Sequence, residues 1–172
     1  LGGDTRPSTP VIRRAVRAGL LSCGVRVLDF GVLPTPLLQW LIPHLGLDGG
    51  VSLSAGHNPD PWNALLFLGA DGAYLLPVDG EGFLNSYHAG AVARRPFDAL
   101  GRLEETSEGV DAYFRALPGG VDQRENRTPL TFVFDCAGGA CAAFLEPLSR
   151  HLGVRLIPLF CTRGSLIRNP EP

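Results

Sequence analysis

The chain has 172 residues, of which 45% are hydrophobic and 19% are charged, and its formal net charge is −2. This composition is typical of a globular protein and excludes a disordered chain. The small net charge gives no indication of nucleic acid or an anionic membrane as a partner. No apolar run approaches the roughly 18 residues that a membrane-spanning helix needs, so we expect neither partner.

The length is sufficient for one domain, or for one domain and part of a second. All fifteen basic residues are arginine. The cysteines have no Cys-x-x-Cys spacing, which argues against zinc and predicts reduced, mostly buried thiols in a cytoplasmic protein. They are Cys23, Cys136, Cys141 and Cys161.

The first 55 residues predict two helix–strand units. Ser8 or Thr9 can cap a helix that runs to Gly24, and a strand follows over residues 25–30. A second helix is expected to have Thr35 as its cap and Pro36 in its first turn. That helix closes at residues 45–46, with Pro43 in its last turn, and Gly49-Gly50 leads into a central strand.

A polar loop follows this central strand, which runs over residues 51–55. Gly56, His57 and Asn58 stand side by side, and the prolines at 59 and 61 stiffen the segment. A second apolar run follows over residues 64–68, and residues 73–76 can form another short strand. Because α/β proteins usually build their sites where strands end, this loop is the first candidate site.

The remainder of the chain predicts a helix and then a β-α-β unit. Residues 78–106 are weakly patterned, 110–117 are helical in pattern, and 122–128 form a polar loop. Strands are expected over 130–135 and 154–159, with a turn at 136–139 and a helix over 140–152 that Pro147 interrupts. This order favours a parallel strand pair.

Four motifs together resemble the α-D-phosphohexomutases, the family of phosphoglucosamine mutase and phosphomannomutase/phosphoglucomutase. They occur in the order and at the spacing of that family. They are Gly2, Asp4, Thr5, Arg6 and Ser8 at the start, Pro34-Thr35-Pro36, the loop Ser54-Ala55-Gly56-His57-Asn58-Pro59 with Asn63 and Phe67, and Arg168-Asn169-Pro170-Glu171-Pro172.

The resemblance implies an α/β fold: a three-layer α/β/α first domain with a mixed sheet, followed by the first β-α-β of a similar second domain. It places the first domain at residues 1–105, without the family's opening strand and helix. A connector helix and loop would span 106–128, and a truncated second domain 129–172. It also places a helix near residues 81–93.

The resemblance implies a phosphotransferase site as well. In the family a loop serine carries the phosphoryl group that moves between C1 and C6 of a hexose or hexosamine phosphate. By position, His57 is expected to hydrogen-bond the transferring phosphate, and Arg6, Asn58 and Ser54 are candidate contacts to the sugar phosphate. For His57 the alternative is a loop histidine bonded to backbone, and for Arg6 it is a structural ion pair with Asp4.

Two positions depart from the family's pattern. The serine position is Gly56, which has no side chain and is expected to form a tight turn. The lysine position is Leu66, expected to be one more core side chain. Ser54 lies two residues away, about 6–7 Å along an extended chain, too far to replace a positioned nucleophile.

The family binds Mg²⁺ through its phosphoserine and an Asp-Gly-Asp-Gly-Asp loop that does not occur in these 172 residues. We therefore expect this chain to bind no metal. The preferred hypothesis is a degenerate or incomplete phosphohexomutase without turnover. The alternatives are a non-catalytic anion-binding or regulatory module, and an active enzyme whose sequence is in error at 56 and 66. The missing domains, or a partner, are expected to cover the second domain.

Overall fold

The computed structural model describes residues 1–59, 61–117 and 130–162. The loop expected at 122–128 and the Arg168–Pro172 motif lie outside the described residues. The helices are α1 (Thr9–Ser22), α2 (Thr35–His44), α3 (Pro77–His88), α4 (Gly109–Ala116) and α5 (Leu145–Leu152). The strands are β1 (Gly2–Gly3), β2 (Val27–Asp29), β3 (Gly50–Leu53), β4 (Leu65–Leu68), β5 (Leu103–Glu105), β6 (Thr131–Asp135) and β7 (Arg155–Leu159).

The central sheet of the first domain is mixed. β1 pairs with β3 in parallel, and β3 pairs with β4 antiparallel, with Ser52 opposite Leu66. β2 pairs with β5 in parallel as a separate ladder. Backbone hydrogen bonds between residues 1–3 and 28–33 join the two ladders, including Phe30 N to Leu1 O at 2.9 Å and Leu33 N to Gly3 O at 3.0 Å. Strict pairing breaks at Gly31, where φ is +70°.

Helices cover both faces of this sheet, because side chains alternate along a strand. On one face, α2 packs Leu38, Leu41 and Ile42 against Leu68, and all four are buried. On the other face, the apolar side of α1 covers a cluster that contains Leu53. Each fully buried leucine or isoleucine contributes about 1.5–3 kcal/mol relative to an exposed one. The three-layer α/β/α arrangement is therefore confirmed.

Several local predictions differ from the structure. Thr35 is the first residue of α2 rather than its cap, and its hydroxyl lies 2.8 Å from Ser52 Oγ. Residues 73–76 form only a single bridge, at Tyr74, because α3 begins at Pro77. α3 accordingly starts and ends earlier than the helix expected at 81–93. β5 was not predicted, since its three residues are all exposed and carry no apolar alternation.

The second part of the chain forms the expected parallel pair, with Thr131 opposite Arg155 and Asp135 opposite Leu159. The predicted helix is a 3-10 turn over Ala140–Phe144 followed by α5. Pro147 lies in the first turn of α5, where a missing N–H costs no helical bond, so it does not interrupt the helix. Among the described residues, no helix is both long and apolar enough to cross a membrane.

Candidate functional site

The loop after β3 is held from inside by Arg6, whose side chain is 1% exposed. Its Nη2 donates to Gly56 O at 3.0 Å and to Asn58 O at 2.6 Å, and its Nη1 donates to Pro59 O at 3.0 Å. Its Nε donates to Asp4 Oδ2 at 3.2 Å. At least four guanidinium N–H groups are thus engaged within the protein, so Arg6 positions the loop.

Asp4 ties this arginine to the start of α1. Its Oδ1 accepts hydrogen bonds from Arg6 N at 3.1 Å and from Thr9 Oγ1. The Asp4 N–H donates to Leu53 O at 2.8 Å, at the end of β3. The structural ion pair that the sequence allowed is therefore present. The phosphate contact expected of Arg6 stays a prediction.

Asn58 closes the turn of the loop. Its backbone N–H and its side-chain Nδ2 both donate to Ala55 O, at 3.2 and 2.6 Å. Ser54 Oγ accepts from Gly56 N at 3.3 Å. Both side chains thus stabilise the loop itself. Their expected contacts to the sugar phosphate stay predictions.

Gly56 adopts a φ of +58°, the left-handed region that favours glycine. The tight-turn interpretation of this residue is confirmed. A Cβ at this position would meet no atom within 4 Å. A side chain here would therefore project into open space, and its only conflict would be with the backbone conformation.

His57 is exposed beside Gly56. Within the described part of the chain no hydrogen bond of its imidazole is present, and its expected contact to the transferring phosphate stays a prediction. The imidazole is available to solvent at the tip of the loop.

Ser8, at the start of α1, contacts Asn63, which lies between the loop and β4. Sequence reasoning missed this contact. Ser8 occupies the N-cap position of α1, but its hydroxyl donates to Asn63 Oδ1 instead of accepting from a helical N–H. Both residues belong to the motifs on which the family resemblance rests, and that co-occurrence was the available signal.

Thr5 connects the site to the second part of the chain. Its Oγ1 donates to Gly138 O at 2.7 Å, in the turn after β6. The residue beside Arg6 is thereby fixed to a segment more than a hundred residues away in sequence.

Residues 1–89 match the family described as phosphoglucomutase/phosphomannomutase, alpha/beta/alpha domain I. The chain belongs to this family, the α-D-phosphohexomutases. It is 40% identical over 162 residues to phosphoglucosamine mutase of Acidothermus cellulolyticus, a match that covers 94% of this chain and 34% of the relative. It is 37% identical over 159 residues to phosphoglucosamine mutase of Mycolicibacterium smegmatis, covering 92% and 35%.

Solved structures share the fold. A phosphoglucomutase/phosphomannomutase family protein from Burkholderia thailandensis superposes with a TM-score of 0.74 at 23% identity, over 93% of this chain and 35% of the other. The chain thus spans about a third of the length of the curated relatives it matches.

The second departure from the phosphohexomutase pattern, Leu66, lies in β4 opposite Ser52. Its side chain is half-buried rather than part of the buried core. A leucine offers neither charge nor a proton at the position where the family has a cation.

Mg²⁺ does not fit the residues present. Gly56 supplies no side-chain oxygen at the family's metal-binding position. In residues 1–59, 61–117 and 130–162, no three His, Cys, Asp or Glu side chains are grouped so that they could hold a metal ion.

Proposed function

We propose that this chain is a degenerate or incomplete phosphohexomutase that keeps the family's loop without its turnover. The family's reaction moves a phosphoryl group between C1 and C6 of a hexose or hexosamine phosphate. One observation carries the proposal: the loop is fully built around Arg6, yet its tip is Gly56, which has no atom to accept a phosphoryl group.

Leu66 supports the same conclusion from the neighbouring strand. Phosphoryl transfer relies on positioned cations that stabilise the charge on the phosphoryl oxygens. Leu66 is half-buried in β4 and apolar. The nucleophile and the cation are thus lost from the same step, so restoring one of them does not restore transfer.

The test is labelling by a hexose 1,6-bisphosphate carrying radioactive phosphorus, with Mg²⁺ present. The unmodified chain and Gly56→Ser are expected to stay unlabelled. Mass spectrometry of the digested protein locates any phosphoryl group. Robust labelling of the unmodified chain, above all at Ser54, would overturn the proposal and make Ser54 a displaced nucleophile.

A second candidate function is a non-catalytic module that binds an anion or sugar phosphate. The exposed imidazole of His57 favours it, since this side chain can contact an anion from solvent. In addition, Arg6 holds three loop carbonyls on the inner side of the loop, so they do not repel an approaching anion. Titration with inorganic phosphate, followed by the NMR signals of His57, tests this function. A saturable shift of these signals, with phosphate binding weakened in His57→Ala as measured by calorimetry, supports it, and unchanged signals at millimolar phosphate contradict it.

We further propose a cytoplasmic setting, with a sugar phosphate as ligand and with neither nucleic acid nor membrane as partner. The four described cysteines are free thiols, which is consistent with a reducing compartment. Further domains, or a partner, would cover the apolar side chains exposed on the β6–β7 pair, such as Val133 at 63% and Ile157 at 41% exposure.

A further inference from the structure

Two thiols meet at one edge of the β6–β7 sheet. Cys136 directly follows β6, and Cys161 lies two residues beyond β7. Because the strands are parallel, their carboxyl ends reach the same edge. The two sulfur atoms are 2.7 Å apart, although 25 positions separate the residues in sequence.

The backbone fixes this proximity. Cys136 N donates to Leu159 O at 2.9 Å, and Gly138 N donates to Phe160 O at 2.7 Å. Thr5 Oγ1 anchors Gly138 from the first domain. The segments that carry the two thiols are thus bonded to each other next to the sulfur pair, so bringing the sulfurs together needs no rearrangement of the chain.

The two thiols differ in access. Cys136 is 5% exposed, whereas Cys161 is half-buried. Burial, together with the adjoining Cys161, raises the pKa of Cys136 to about 12. Since the thiolate is the nucleophile in thiol chemistry, Cys161 is the thiol that an external reagent reaches first.

We propose that Cys136 and Cys161 are an oxidative modification site, at which a low-molecular-weight disulfide of the glutathione type converts the pair into an intramolecular disulfide. The thiolate of Cys161 attacks one sulfur of the reagent, forms a mixed disulfide, and releases one small thiol. Cys136 then loses its proton to solvent and attacks the Cys161 sulfur, which releases the second small thiol. The protein loses two protons and two electrons, and the reagent gains both when it becomes two thiols.

The first step prepares the second. The causes that raise the pKa of Cys136 are burial, followed by its hydrogen bond and charge interaction with Cys161. Once Cys161 is a mixed disulfide, it carries no thiol or thiolate, so its interactions with Cys136 are removed and burial remains.

The other cysteines serve as internal controls. Cys23 follows α1 in the first domain, and its sulfur lies 3.9 Å from Ser22 Oγ. Cys141 lies in the 3-10 turn before α5, and burial raises the pKa of its thiol. Neither has a sulfur partner among the described residues.

The experiment equilibrates the 172-residue chain in glutathione buffers from fully reduced to fully oxidised. After acid quenching and alkylation, digestion and mass spectrometry identify each cysteine. We expect a peptide linked through Cys136 and Cys161, about 2 Da lighter than the sum of its two reduced parts, with Cys23 and Cys141 alkylated. Reduction with excess thiol should return both cysteines to the alkylated pool.

Two matched variants test the order of attack. Cys136→Ser should accumulate glutathione on Cys161, because the resolving thiol is absent. Cys161→Ser should leave Cys136 unmodified over the same time. If a variant fails to fold, the wild-type map alone decides. Persistent free thiols in fully oxidised glutathione, a bond that includes Cys141, or glutathione spread equally over all four cysteines would overturn the proposal.

Discussion

Arg6 Nη2 donates a 3.0 Å hydrogen bond to the carbonyl of Gly56, across fifty positions of sequence. The bond fixes the backbone at the family's phosphoserine position without using any side chain there. The hydrogen bond that holds the loop therefore does not depend on a side chain at 56, although the φ of +58° there favours glycine. This separation explains how the chain keeps a complete loop while lacking the group that would carry phosphate.

The first prediction concerns Arg6 itself. Arg6→Ala should lower the free energy of unfolding by about 3 kcal/mol or more, because it leaves three carbonyls without their donor and the largely buried Asp4 carboxylate without its cation. Arg6→Lys should recover only part of the loss, since an ammonium cannot reproduce the forked donors. Urea denaturation measures both.

Arg26 is the matched control for this substitution. It makes a bidentate pair with Glu104, at 2.8 Å for each bond, but both side chains are largely exposed. Arg26→Ala should leave the denaturation midpoint close to that of the unmodified chain. Equal losses for Arg6→Ala and Arg26→Ala would contradict a specific role for Arg6.

The second prediction compares two glycines with positive φ. Gly56→Ser should fold, at a cost of about 1–2 kcal/mol for the left-handed backbone, because its Cβ meets nothing within 4 Å. Gly72→Ala should be far more destabilising, since its Cβ would stand 2.0 Å from the Gln39 carbonyl oxygen. Thermal unfolding of both variants measures the difference, and similar melting temperatures would contradict it.

Cap residues and apolar periodicity predict the helices and strands of the first 55 residues, and the resemblance to the family predicts their layered arrangement. The sequence also locates the loop, since the Gly-His-Asn segment follows a predicted strand. It could not show that Arg6 reaches the inner side of that loop, because nothing in the local spacing reports a contact across fifty residues. The thiol pair was missed for a related reason: it depends on the register of β6 and β7, which a spacing of 25 residues does not reveal.

The third prediction concerns Asp29, whose carboxylate is fully buried in β2. Arg17 Nε donates to it at 2.7 Å, and Arg13 Nη1 lies 3.6 Å away. Asp29→Ala should cost about 3–5 kcal/mol, because it removes the buried carboxylate that both guanidinium groups face and leaves Arg17 with the exposed Glu105 as its acidic partner. Chemical denaturation should show this loss, whereas the exposed Asp48→Ala should unfold near the wild-type midpoint. Wild-type stability of Asp29→Ala would show that α1 is held by apolar contacts alone.

The fourth prediction concerns local stability along the chain. The α2 side chains Leu38, Leu41 and Ile42 are at most 1% exposed, whereas Val133 and Ile157 in the β6–β7 pair are 63% and 41% exposed. Because local opening free energy follows buried apolar surface, amides of residues 131–135 and 155–159 should exchange faster than those of α2. Hydrogen exchange with mass spectrometry measures this on the isolated monomer. Equal protection in both regions would contradict it.

The fifth prediction is a dependence of stability on pH that belongs to Cys136. Its pKa is raised from 9.0 to about 12, chiefly by burial. A raised pKa means that folding favours the protonated thiol. This contribution is fully present below pH 9, where both the folded and unfolded thiols are protonated, and is lost as the pH rises from 9 towards 12.

With excess reductant present, the denaturation midpoint of the unmodified chain should therefore fall between pH 8 and pH 10.5. Cys136→Ser should show a smaller fall, because serine does not titrate in this range, and Cys23→Ser should follow the unmodified chain. Parallel curves for the unmodified chain and Cys136→Ser would assign the alkaline loss to other groups.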